Sequence, residues 1–141
     1  MRSVYFHLTD VSQFQVAKYL YAIADASGDD NWSFPRDSSL PVLFLGFNDD
    51  LAAEAEPEDL ELLSAALGKM PDVVVMADIS DRVPASIEVM EFAQLLLEKF
   101  RGVAWDDYTT HCWTLPQIQS GTKVLGHPFF DFAGWQQEQD N

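Results

Sequence analysis

Within VAWDDYTTHCWTL, residues 103–115, lie two adjacent carboxylates, a tyrosine, a histidine and the chain's one cysteine, set between two tryptophans. Asp106, Asp107, Tyr108, His111 and Cys112 are the side-chain types of metal sites, acid–base pairs and thiol nucleophiles. Their spacing argues against all three. Val, Trp, Tyr and paired threonines favour an extended chain, in which four residues span about 13 Å. Asp107 and His111 would then share neither a metal nor a proton. Neighbouring His111 and Cys112 would point to opposite sides, and a thiol is not normally activated by the histidine beside it in sequence. Gly-rich phosphate loops, G-x-S-x-G and H-E-x-x-H are all absent from the sequence. The expectation is a protein that is not an enzyme and carries neither metal nor cofactor.

The same residues suit an interface. Exposed carboxylates beside a strand end would supply charge, and tyrosine and tryptophan are the types that anchor protein contacts. On a regular strand Trp105 and Trp113, eight apart, face one side together, as core or as interface.

Charge strengthens the binding reading. The formal net charge is −15 over 141 residues, which repels nucleic acid and anionic lipid and speeds encounter with basic partners. The acids concentrate in DDLAAEAEPEDLE, residues 49–61, where seven acids stand with no base. Carboxylates stabilise a helix N-terminus, which explains Glu58 and Asp59 after Pro57. It does not explain Asp49, Asp50, Glu54 and Glu56. This segment lacks the alternating acids and central glycine of an EF-hand loop.

The elements that must position these groups follow from periodicity. VYFHLTD alternates as a strand, with Tyr5 and His7 on one face and Val4, Phe6 and Leu8 on the other. Ser12 caps a helix whose stripe is Phe14, Ala17, Leu20, Tyr21 and Ala24. PVLFLGF is a second strand, and Pro57 to Gly68 bracket a helix lined by Leu60, Leu63 and Leu67. PDVVVMADIS is a central strand, apolar on both faces, followed by a helix with the stripe Val89, Phe92, Ala93, Leu96 and Phe100. GVAWDDY begins a fourth strand, and Thr114 with Gln117 has capping-box spacing. Residues 25–40 read as a long polar connection containing an isolated Trp32 and Phe34, either a functional loop or an ordinary crossover whose tryptophan covers a sheet edge. The expected fold is a single α/β domain over residues 1–141, a layered, roughly four-stranded mixed sheet with three main helices, fraying over 136–141.

No apolar run approaches the length of a membrane span. MRSVYFHLTD meets a charge too early for a signal-peptide core, and one cysteine allows no internal disulfide. The expected compartment is the cytoplasm.

DVVVMADISDRVP, EFAQLLLEKFRGVAWDDYTTHCWTLPQI and GHPFFDFAGW, within residues 72–135, resemble small acidic immunity proteins of bacterial polymorphic toxin systems. Pro116 and Gln117 depart from the more acidic or polar residues expected at that end of the pattern. The resemblance implies a cytoplasmic inhibitor that binds a cognate toxin domain and occludes its active site, acidic loops meeting a basic cleft such as that of a nuclease. Residues expected to bind the partner are Asp49, Asp50, Glu54, Glu56, Asp106, Asp107, Tyr108 and Trp32. Two other readings compete: an acidic regulatory or adaptor domain for a basic protein, and a small metal-dependent hydrolase built from Asp49, Asp50, Asp78, Asp106 and His111.

Overall fold

The structure is a computed structural model that describes residues 2–80 and 83–140. Asp81 and Arg82 of the resembling stretch, and Asn141 of the polar end, lie outside the described residues.

Among the described residues there are six strands and six helices. Strand β1 (Arg2–Thr9) leads to helix α1 (Gln13–Ile23), then to the hairpin of β2 (Asp25–Gly28) and β3 (Asn31–Phe34) and to β4 (Leu43–Phe47). Short α2 (Leu51–Glu54) and α3 (Pro57–Leu67) precede β5 (Val73–Ile79). Helix α4 (Ser86–Lys99), edge strand β6 (Arg101–Trp105), α5 (Leu115–Ser120) and α6 (Phe132–Asp140) complete the chain. The sheet order is β2-β3-β4-β5-β1-β6, and every pairing is antiparallel. This corrects the expected four-stranded mixed sheet with three main helices. The extra strands come from residues 25–34, where Asp30 takes a left-handed φ of 55° in the turn. DASG and NWSF are too short and too polar to show a periodicity of their own.

Local chemistry sets the helix limits. Ser12 accepts from the Gln15 backbone N–H while the Gln15 side chain accepts from the Ser12 N–H, and Thr114 with Gln117 repeats that capping box. Pro57 opens α3, and Gly68 closes it with φ 80°.

Strand alternation divides the core in two. Val4, Phe6 and Leu8 face α1 and α4 together with Leu43, Leu45, Val73, Val75, Ala77 and Ile79. Phe92 of α4 meets Phe6 edge-on at 5.3 Å; burying such a ring contributes roughly 2–3 kcal/mol. On the other face Val74 and Val103 pack with Leu51, Leu63 and Leu67 of α2 and α3. Helix α1 is rotated from the expected stripe: Val16, Leu20 and the cap residue Ala24 are buried, while Phe14 and Tyr21 are exposed.

Strand β6 stops at Trp105, where Asp106 begins a turn, and Trp113 returns as an isolated antiparallel bridge to Ala104. The two tryptophans therefore fall on opposite faces. Trp113 belongs to the α1/α4 core and half-buried Trp105 to the second cluster.

Candidate interaction face

Helices α2 and α3 cover only part of the sheet's second face. Register places Trp105, Tyr5, Met76 and Gly46 in one row across β6, β1, β5 and β4, and Ser3, Asp78 and Phe44 in the next. Where α2 meets the sheet, Tyr5, Trp105, Asn48, Leu51, Ala55, Glu54, Glu56 and Asp59 line a groove of about 230 Å³. None of these lining residues is basic. Over β4 and β5 the face is left bare, with Phe44, Gly46, Met76 and Asp78 lining a shallow trough together with Ser27 and Asn31.

Carboxylates gather around Tyr5. Its phenol ionises above the ordinary tyrosine value, first because it is partly buried and then because Glu54, Asp78 and Asp107 lie near it. Glu54 is steadied by the Asn48 amide, which donates to Oε2 at 3.3 Å. Asp78 accepts from the Ser3 hydroxyl at 2.6 Å. The Asp107 carboxyl is held above its ordinary value, chiefly by desolvation, with adjacent Asp106 adding repulsion and the positive charge of Arg2 opposing the rise. An aromatic floor with anionic walls suits a lysine or arginine side chain.

Beneath Trp105 the surface is rigid. Its indole N–H points to the Cys112 sulfur at 3.4 Å, and buried His7 meets its ring edge-on at 4.2 Å. His7 has no hydrogen-bond partner on either ring nitrogen among the described residues. Burial pushes it down to about 3, so it is neutral at physiological pH. Burial also raises the Cys112 thiol, the opposite of nucleophile activation.

The expected contact residues divide. Glu54 and Glu56 line the groove, and Asp107 is exposed near Tyr5. Asp49 and Asp50 are exposed at the corner between β4 and α2, where Asp49 accepts from the Gln13 amide at 2.6 Å. Asp106 is corrected: it is buried, Oδ1 accepts from the Tyr108 and Thr109 N–H groups, and Oδ2 accepts from the Phe130 N–H at 2.9 Å. Its charge organises a turn. Trp32 is corrected too, since β3 turns it into the core at 1% exposure between Tyr21 and Phe47. Tyr108 is half-buried, stacked on Trp135 and packed on Phe130.

The residues imagined for a hydrolase are not assembled. His111 meets the Gln117 side-chain oxygen at 3.0 Å, and Asp106 is committed to backbone donors. Among the described residues no three His, Cys, Asp or Glu side chains are placed to hold one metal ion.

Sequence reasoning did not count Tyr5 or Asp59 as contact residues, and it named Asp78 among the hydrolase residues and not as part of an interface. The signal was present in β5, where the second-face residues run Val74, Met76, Asp78 from apolar to acidic. That gradient marks where a sheet face leaves cover.

Fold and face together define an antiparallel-sheet α/β protein with one face closed by helices and the other half-open, acidic and aromatic. Against protein-family models, curated proteins and solved structures, the chain shows no match. Among the described residues no helix is long and apolar enough to cross a membrane.

Proposed function

We propose that this chain is an immunity protein, a cytoplasmic inhibitor that binds the basic active-site surface of a cognate toxin domain and occludes it. The observation that carries the reading is the gathering of Glu54, Glu56, Asp59, Asp78 and Asp107 around Tyr5 and Trp105, at the edge of the part of the second sheet face that α2 and α3 cover. The mechanism needs no chemistry from the chain. Acidic side chains raise the encounter rate with a basic surface, and desolvated aromatics lower the dissociation rate. Tyr5 and Trp105 are fit for the second task because the sheet and His7 hold them in place before binding, so little ordering entropy is lost. The resemblance of residues 72–135 to acidic immunity proteins narrows the partner to a toxin.

The test is affinity capture from the organism that encodes the chain, at low and high salt. One bait is the natural chain and the other carries Glu54→Gln, Glu56→Gln and Asp59→Asn. The expected result is one basic protein held by the natural chain alone, whose own enzymatic activity stops when one equivalent of the chain is added. Equal capture by both baits would refute the assigned surface. A captured protein whose activity is untouched would make the chain an acidic adaptor instead.

A further inference from the structure

The groove beside α2 has the layout of a socket for one long cationic side chain. Its least exposed lining is apolar and aromatic: Leu51 is buried, and Tyr5, Ala55 and Trp105 are half-buried. Glu54 and Glu56 are exposed, and half-buried Asp59 joins them from the first turn of α3. Apolar walls suit a methylene stem, and the acids suit its charged end. At about 230 Å³ the groove is smaller than the roughly 300–1,000 Å³ of pockets that enclose whole ligands, so it is sized for a side chain.

The walls are in place before anything binds. The Trp105 indole N–H points to Cys112 Sγ at 3.4 Å, and His7 meets the ring edge-on at 4.2 Å. The Asn48 amide donates to Glu54 at 3.3 Å. The Asp59 N–H donates to the Glu56 carbonyl oxygen at 3.0 Å, which sets those two acids on one helical turn.

Charge and ring chemistry select the occupant. Three acids and no base line the groove. Of the chain's own cations, Lys69 pairs with Asp10 and Asp72, Arg101 pairs with Asp10, and Arg2 donates to the carbonyl oxygens of Ser80, Val83 and Pro84. The Tyr5 phenol, raised first by burial and then by Glu54, Asp78 and Asp107, marks where the negative field converges. A second copy of the chain would bring another net charge of −15, and like-charge repulsion opposes it as the source of the cation. The aromatic rings then choose between cations. A guanidinium is planar and weakly hydrated, stacks on an aromatic face and forks to carboxylates, whereas an ammonium is a compact, strongly hydrated point charge.

We propose that the Tyr5–Trp105 groove seats one arginine side chain of the protein partner, its stem along Leu51 and Ala55 and its guanidinium on the aromatic rings among Glu54, Glu56 and Asp59. This deepens the reading of the acidic face as a site for a basic protein and rests on it. A lysine would reach the same acids without the stacking.

The probes are short blocked glycine peptides carrying one arginine, one lysine or one citrulline, the last an uncharged analogue of arginine. Each is titrated at low salt into the isotope-labelled chain and followed residue by residue by NMR. The arginine peptide should give saturable shifts at Tyr5, Glu54, Glu56, Asp59 and the Trp105 indole N–H. It should bind about tenfold more tightly than the lysine peptide, and the citrulline peptide should leave these signals unmoved. Trp105→Leu should bring the two cationic peptides to equal affinity, and Trp105→Phe should restore the preference; melting temperatures check both folds. Glu56→Gln, at an exposed position, should weaken both cations alike. Equal affinity for arginine and lysine in the natural chain, citrulline binding like arginine, or no shift at the groove would each overturn the proposal. Free arginine binding more tightly than the blocked peptide would also overturn it, by making an amino acid the occupant. The reading of the face is judged separately by the capture comparison. A partner lost from the bait carrying Glu54→Gln, Glu56→Gln and Asp59→Asn keeps that reading even where the arginine peptide fails.

Discussion

The imidazole of His7 lies edge-on against the indole of Trp105, ring centroids 4.2 Å apart and planes at 68°, with neither imidazole nitrogen hydrogen-bonded among the described residues. A titratable group thus sits, uncharged, directly under the aromatic floor of the candidate interface.

That placement has a pH signature. The unfolded chain takes up the His7 proton near the ordinary 6.5, whereas the folded chain resists protonation until about 3. The stability His7 contributes is therefore fully present above 6.5 and is lost as pH falls from 6.5 toward 3. The loss amounts to about 1.4 kcal/mol per pH unit. Thermal melts at pH 7, 5.5 and 4.5 should show His7→Leu falling less steeply than the natural chain. Parallel curves would contradict the assignment.

Gly102 lets β6 lie close to β1. A Cβ there would run into the His7 carbonyl oxygen and the Leu8 side chain. Since the backbone cannot give way as a flexible side chain can, Gly102→Ala is expected to cost about 2–3 kcal/mol. Urea denaturation measures it, and a change below the scatter of surface variants would be evidence that the strand shifts freely.

Asp106 and Asp107 should behave as opposites. Asp106→Ala leaves the buried Phe130 N–H without its carboxylate and removes the acceptor of the Tyr108 and Thr109 N–H groups. The expected loss is about 3 kcal/mol. Asp107→Asn, on an exposed residue, should stay within about 0.5 kcal/mol while slowing association with a basic partner. Paired denaturation and binding-rate measurements separate the roles; a stable Asp106→Ala variant would remove the structural one.

His127 pins the C-terminal helix. Its ring stacks on Trp135 at 3.9 Å, Nδ1 meets Asp131 at 2.8 Å and Nε2 lies 2.9 Å from Glu138. The bond to Asp131, with help from Glu138, raises its proton affinity. A raised group contributes fully below 6.5, and its contribution fades as pH climbs through the raised value. Trp135 fluorescence should report loosening of α6 on that rise, with the midpoint lower in Asp131→Asn. Gly134→Ala should loosen α6 at all pH values, because its Cβ would strike the Asp131 carboxylate. An Asp131→Asn midpoint identical to that of the natural chain would argue that another group controls the transition.

The features legible in the sequence are those whose causes are local. Alternation separated Tyr5 and His7 from Val4, Phe6 and Leu8. Capping chemistry located Ser12 and Thr114, and Pro57 with Gly68 bounded α3. β-Branched residues marked β5, and the run from Val89 to Leu96 marked the buried stripe of α4.

Tertiary structure alone decided what depends on partners distant in the chain. Helix α1 has apolar residues on two flanks, and only the position of the sheet chose Val16 over Phe14. Trp32 went inward because β3 pairs with β4, placing it opposite Leu45. Asp106 and Asp107 are neighbours of one type, but the Phe130 N–H, 24 residues along, drew one inside. Tyr5, Glu54, Asp78 and Asp107 met because β1 inserts between β5 and β6. The sequence by itself determined the charge, the alternating faces and the ends of the helices, because these arise among residues a few positions apart. Which side chains face water and which acids share a surface arise from strand pairing across the whole chain, and no short-range pattern encodes that pairing.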